Sequence, residues 1–159
     1  MAHEYRATIS WRFDGEDFAK GRYTRAHEWR FDGGVTVPAS ASPGVVPAPF
    51  VREDAVDPEE AFIAALSSCH MLTFIDIARR SGLVIQSYED EAVGVLERVG
   101  PGKMAVTKVT LRPHIVFGGQ VPGKGTLDDL HHQAHEACFI ANSVKTEIAV
   151  EPTNEAAPQ

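Results

Sequence analysis

Apolar and polar positions alternate at the start of the chain. Tyr5, Ala7, Ile9, Trp11 and Phe13 fall on every second residue, the period of a strand. A loop reading "DGEDFAKG" follows. The same period then returns over 23–31, with Tyr23, His27, Trp29 and Phe31 on one face. "DGG" at Asp32 to Gly34 predicts a hairpin turn, because glycine accepts the positive φ such turns need. Val35 to Val37 predicts the returning strand. Four prolines, Pro38, Pro43, Pro47 and Pro49, then mark a long irregular loop. Loops of that length inside compact domains are often functional.

At Asp57 the pattern changes to that of a helix. Asp57 is suited to cap free backbone N–H groups, Pro58 to the first helical position, and Glu60 to complete a capping-box-like pattern. Ala, Phe, Ile and Leu surround most of the helix as far as Gly82, a natural stop. It is therefore expected to be buried on nearly all sides, which is more cover than one small sheet gives. A partner chain is expected to supply the rest. Strands are expected over 90–99 and 103–117, joined by "GPGK". Thr126 is expected to cap a second helix, with Leu127, Leu130, His131, Ala134, Ala137 and Cys138 on one stripe and a break near Cys138. "KTEIAVEP" predicts a last strand. The order predicts an α+β fold with two long buried helices and mostly antiparallel sheets. One domain is expected over 1–152, followed by a flexible polar tail over 153–159.

Composition narrows the class. The 159 residues suit one domain, and 43% hydrophobic with 23% charged is ordinary for a soluble globular protein. Fifteen Lys and Arg against 22 Asp and Glu give a formal charge of −7, which argues against nucleic acid or an anionic membrane as partner. "MAHEYRATISW" lacks the basic-then-apolar order of a signal peptide. The longest mostly apolar run, 61–78, is interrupted by Ser67, Ser68, His70 and Asp76, whereas a membrane span needs ~20 mostly apolar residues. A cytoplasmic location is expected. Two cysteines are no disulfide framework; such a pair is more often reactive, metal-binding or buried.

Cys69, in "DPEEAFIAALSSCHM", reads either as a small buried hydrophobe or as a reactive thiol. Ser67, Ser68 and His70 put a polar cluster around it, in a helix otherwise built to be dry, and buried polar groups need partners. Cys138, in "HHQAHEACFIANS", reads as helix packing. It also reads, with His131, His135 and Cys69, as a zinc set, although a helical H-x-x-x-H recurs often by chance.

"DPEEAFIAALSSCHM" together with "AHEACFIANSVKTEIAVE" resembles the OsmC/Ohr family of thiol-dependent hydroperoxide reductases. The likeness covers nearly the whole chain, strand order included. Its most specific part is an Asp-Pro-Glu helix start with a cysteine ten positions after the glutamate, which Glu59 and Cys69 match. The resemblance implies an intertwined homodimer and no cofactor other than a redox-active Cys69–Cys138 disulfide. Cys69 would attack the peroxide and become a sulfenic acid, Cys138 would resolve it, and a dihydrolipoyl-type or similar dithiol would reduce the disulfide. The activity implied is reduction of organic hydroperoxides under oxidative stress. An arginine, held by Glu59, would favour the thiolate; Arg22 and Arg25 both suit the role, with Arg25 slightly ahead. Phe50, Phe62, Met71 and Phe139 are candidate pocket walls or plain core. His70 and Phe139 depart from the family pattern, where an aromatic and a proline are commoner, and mark a divergent branch.

Helix geometry adds an inference. Ten residues of rise separate Glu59 from Cys69 by ~15 Å, so Glu59 is expected to act at the partner chain's Cys69. The alternative class is a binding module, holding zinc or a hydrophobic ligand without turnover.

Overall fold

The N-terminal alternation becomes a three-stranded antiparallel sheet in the computed structural model, which describes residues 2–158. Its strands are β1 (Ala7–Ser10), β4 (His27–Phe31) and β5 (Thr36–Ala39), in that order, with Ile9 opposite Trp29 and Trp29 opposite Val37. Between β1 and β4 lies a small antiparallel pair, β2 (Gly15–Asp17) inside the expected loop and β3 (Arg22–Tyr23) just after it. The predicted strand over 23–31 is therefore interrupted at residues 24–26. The proline-rich loop is tied back to β5: Ser40 donates its N–H to Val56 at 3.1 Å, and Arg52 donates its own to Ser40 Oγ at 3.0 Å.

These strands belong to the first of two compact units, Met1–Ala61 and Phe62–Gln159. The long helix α1 (Pro58–Arg80) starts in the first unit and runs into the second. Its entrance is a reciprocal capping box. Asp57 Oδ1 accepts the Glu60 N–H at 2.8 Å, and Glu60 Oε2 accepts the Asp57 N–H at 3.1 Å. Its exit is a Schellman turn: Gly82 has φ of 79°, and the Leu83 N–H bonds back to Ala78 O at 3.0 Å.

In the second unit, β6 (Ile85–Asp90), β7 (Val93–Gly100), β8 (Lys103–Leu111), β9 (Pro113–Phe117), α2 (Lys124–Ala137), a 3₁₀ turn (Ala141–Ser143), β10 (Glu147–Val150) and β11 (Thr153–Ala156) follow. They form two sheets, β10-β8-β7 and β11-β9-β6. The run over 103–117, expected as one strand, divides at Arg112. Pro113 cannot donate to a ladder, and the Arg112 N–H is taken by Asp90 Oδ1 at 2.6 Å. The C-terminal strands repeat this break, since β10 and β11 run parallel to β8 and β9 with Glu151 and Pro152 between them. Arg112 Nε bonds Glu151 Oε2 at 3.1 Å across the switch.

Three expectations are corrected here. Residues 153–156, expected as tail, are strand β11. Their side chains are polar, but their backbone extends the edge of β9 and His114 bonds both Thr153 and Glu155, at 3.0 and 3.2 Å. Strand β6 lies ahead of the predicted start at Asp90. The second helix is capped by Gly123, not Thr126.

The core of the second unit has two parts. Leu66 of α1 packs with Val109 and Leu111 of β8. Phe74, Ile77 and Ala78 of α1 pack with Ile115 and Phe117 of β9 and Leu127, Leu130 and Ala134 of α2. Gly94 lets β7 approach α1, because a Cβ there would fall 2.5 Å from Ile63 Cδ1. By length and composition alone α1 could cross a membrane, yet its Leu66-His70-Phe74-Ile77 face is packed on sheet strands and α2. The opposite face is uncovered in the single chain: Ala65, Ser68, Leu72 and Asp76 are exposed, Leu72 to 62%.

Candidate active site

α1 carries Cys69 at mid-helix, half-buried, with its carbonyl accepting the Thr73 hydroxyl at 2.8 Å. Cys138 is the C-terminal cap of α2 and is buried. The two thiols are free, and Cys69 is near enough to Cys138 to shift its pKa. Burial, and then the neighbouring Cys69 thiol, push the Cys138 thiol above its ordinary pKa, so it is protonated at neutral pH. The N–H groups of Ala141 and Ile140 act in the opposite direction; Ala141 N lies 3.4 Å from Cys138 Sγ. A buried thiol with amides aimed at its sulfur is suited to ionise when a neighbouring electrophile draws it into reaction.

The next residue of α1, His70, is buried, and its Nε2 meets His131 Nδ1 at 3.1 Å. The rings are parallel, with an interplanar angle of 5°, and His131 also stacks on Phe74 at 4.3 Å. Both imidazoles are pulled down to about 4, chiefly by burial, and then by the positive charge each would meet: His135 for His70, and His70 for His131. They are neutral at pH 7, so one ring donates and the other accepts. Residue spacing alone does not predict this pairing. Its trace in the sequence is that His70 sits on the Leu66-Phe74-Ile77 face and His131 on the Leu127-Leu130-Ala134 stripe, both dry. Among the described residues no three His, Cys, Asp or Glu are arranged to hold a metal ion.

The other predicted residues lie in the first unit. Arg22 is exposed and pairs with Glu16. Arg25 is half-buried, and its Nη1 donates to Gly21 O at 2.7 Å and Tyr23 O at 2.5 Å. Its guanidinium lies 3.7 Å above the Tyr23 ring, a cation–π contact. The surrounding backbone is pinned. Trp11 Nε1 donates to Thr24 O at 2.8 Å, and the Arg25 N–H to Phe50 O at 2.8 Å. Trp29 Nε1 can only donate, so His27 Nε2 accepts it at 3.0 Å and His27 Nδ1–H donates to Arg25 O at 2.8 Å. Arg25 opens on a pocket of about 480 Å³ walled by Ile9, Trp11, Phe18 and Tyr23. Glu59 is half-buried and, among the described residues, forms no ion pair with either arginine. Glu60 is occupied in the capping box. Of the candidate walls, Phe62 packs beside Leu66, Phe50 lies 5.8 Å from the Arg25 guanidinium, and Phe139 is 79% exposed.

Residues 52–153 match the family model described as OsmC-like protein. The chain belongs to the OsmC family. An OsmC-like protein of unknown function from Vibrio cholerae is 51% identical, with a TM-score of 0.91 over 96% of this chain and all of the other. The fold is shared with an organic hydroperoxide resistance protein from Elizabethkingia anophelis (17% identity, TM-score 0.68, 99% of each chain). It is shared also with the organic hydroperoxide resistance protein OhrB of Bacillus subtilis (16%, TM-score 0.64, 96% of this chain and 98% of that one). None of the curated proteins compared with the chain matches it. The α+β architecture with antiparallel-rich sheets, expected from the sequence, is thus that of the OsmC family.

Proposed function

We propose that this OsmC family member is a thiol-dependent peroxidase that reduces organic hydroperoxides. The observation that carries the reading is the Cys69–Cys138 pair, two free thiols on separate elements, with Cys69 near enough to Cys138 to raise its pKa. The Cys69 thiolate attacks one peroxide oxygen, the O–O bond breaks, and the departing alkoxide takes up a proton to become the alcohol. Cys69 is left as a sulfenic acid. Cys138 sulfur attacks it, water leaves, and a disulfide forms. An external dithiol of dihydrolipoyl type reduces that disulfide by exchange. One hydroperoxide and one dithiol are thereby converted to one alcohol, one water and one oxidised dithiol, with no metal or organic cofactor.

Arg25 is the cation we assign to the peroxide and thiolate, supported by its half-buried place on an apolar pocket; Arg22 is exposed and already paired. The exposed Leu72 face of α1 supports an obligate homodimer, in which Glu59 and Arg25 of one chain serve the partner's Cys69. A reducing, cytoplasmic setting agrees with two unbridged cysteines, and the charge of −7 with the absence of nucleic-acid and membrane partners. The test is stopped-flow oxidation of the reduced protein by hydrogen peroxide, tert-butyl hydroperoxide and cumene hydroperoxide. Two thiols should be lost per peroxide, fastest with the apolar substrates. Thiols that survive one equivalent of every peroxide would sink the reading.

A second reading is a binding module for an apolar ligand with an anionic head, favoured by the guanidinium at the Trp11–Tyr23 pocket. It predicts ligand-induced tryptophan fluorescence change without thiol loss.

A further inference from the structure

The contacts between α1 and α2 run in opposite chain directions. Cys69 lies near enough to Cys138 to shift its pKa, His70 bonds His131, and Phe74 stacks on the same His131. Below them Phe74, Ile77 and Ala78 pack against Leu127, Leu130 and Ala134. The apolar layer is non-directional and tolerates small slides. The His70–His131 bond is directional, and it sits in a dry interior where such a bond is strengthened. It lies between that sliding layer and the thiols.

A core built only for stability has little use for this arrangement. Among the described residues His131 Nε2 is buried with no hydrogen-bond partner, and so is the nearby Tyr88 hydroxyl, whose ring lies 5.9 Å from Phe74. Leaving a buried polar atom unmade costs stability, and a Leu or Phe would avoid it. Disulfide closure, in contrast, tolerates little error, because the S–S bond forms only within a narrow range of Cα separations and dihedrals.

We propose that the His70–His131 hydrogen bond is a positioning clamp that fixes α1 against α2, sets the separation of Cys69 and Cys138, and so governs disulfide closure rather than peroxide attack. The inference rests on reading the two cysteines as a redox pair. His70 and His131 touch neither peroxide nor sulfur; they act through the helices that carry the thiols.

The experiment uses full-length His131→Phe, which keeps a ring on Phe74 but removes the bond. The double variant H70F/H131F removes both polar groups, so that no new orphan remains. His131→Asn places an amide where Nδ1 stood and serves as the rescue. The first readout is the Cys69–Cys138 dithiol–disulfide equilibrium in glutathione buffers, which requires no peroxidase activity. Both Phe variants should disfavour the disulfide about tenfold, which is about 30 mV in this two-electron couple, and His131→Asn should recover most of it. The second readout is stopped-flow with cumene hydroperoxide: the sulfenic acid step should stay within about twofold of wild type while closure slows about tenfold. If wild type reacts with no peroxide, the proposed function fails, yet the glutathione equilibrium still tests the clamp. An unchanged equilibrium in H70F/H131F, or His131→Asn behaving like His131→Phe, would overturn it.

Discussion

Cys69 in the middle of α1 lies close enough to Cys138 at the end of α2 to raise its pKa, and the two thiols are joined by no covalent bond. Under the proposed mechanism each cysteine has a distinct fate on oxidation. Cys69→Ser should abolish peroxide consumption. Cys138→Ser should consume one equivalent per chain in a fast first oxidation and then stop. Its intact mass should shift to the sulfenic or sulfinic form, since nothing remains to condense with the sulfenic acid. Turnover by Cys69→Ser would refute the assignment.

The histidine pair predicts an acid-sensitive stability. His70 and His131 are held at about 4 in the folded chain, against an ordinary 6.5. The groups facing them are His135 and Asp90 around His70, and His70 and Asp128 around His131. Because the folded pKa is depressed, the unfolded chain binds more protons between about 6.5 and 4. Stability is therefore full above about 6.5 and falls as pH drops through that window. A pKa difference of one between the folded and unfolded chain corresponds to about 1.4 kcal/mol. The two rings are coupled, so we expect a total loss on the order of 3 kcal/mol. Urea unfolding of wild type and H70F/H131F at pH 7, 6 and 5 checks this, in a range above ordinary carboxylate titration. Parallel pH profiles for the two proteins would refute it.

Much of this fold could be read from the chain, and the exceptions have physical causes. The capping box at Asp57 and Glu60 and the stop at Gly82 are local, set by side chain and backbone within one turn. The break of 103–117 at Arg112 is not local, because it depends on Asp90 taking an N–H from a distant strand. Strand β11 is likewise invisible to periodicity, since its support comes from β9 and His114. At the site, residue type left Cys69 and Cys138 open between packing and chemistry, and the family resemblance singled them out. Neither could show His70 against His131, because each histidine is ordinary on its own helix and only the α1–α2 packing joins them. The bareness of the Leu72 face also follows from packing, since an apolar helix does not say which of its sides its own sheets will cover.

The two arginines should separate cleanly. Arg25 is fixed by two carbonyls and a tyrosine face at an apolar pocket, whereas Arg22 has an exposed pair with Glu16. Arg25→Ala should slow the first oxidation roughly a hundredfold, the scale of losing one preorganised charge in a dry site. Arg25→Lys should recover little, since an ammonium cannot keep the planar fork or the ring stacking. Arg22→Ala should stay within about twofold, because exposed pairs contribute ~0–1 kcal/mol. Comparable losses in Arg22→Ala and Arg25→Ala would remove the assignment of Arg25.

The proposed sharing of the site between two chains can be tested by mixing subunits. Glu59 and Cys69 lie on one unbroken helix, and ten residues of rise keep them ~15 Å apart along it. A carboxylate at that remove cannot organise a cation around its own chain's thiolate. Its proposed target is the partner's, and the exposed Leu72 face of α1 offers a surface on which a partner would pack. Glu59→Ala should therefore slow peroxide attack without unfolding the protein, since Glu59 has no part in the Asp57–Glu60 cap. Cys69→Ser should be inert. When the two are mixed under conditions that exchange subunits, half of each heterodimer's sites combine defects and half do not. In a shared site, the Cys69 of the Glu59→Ala chain faces the intact Glu59 of the Cys69→Ser chain. Activity should then rise above that of either parent, towards one native site per heterodimer. In an unshared site the surviving cysteine keeps its own missing glutamate, and mixing gains nothing. A monomer by sedimentation, or no recovery once exchange is shown by mass, would rule the shared site out.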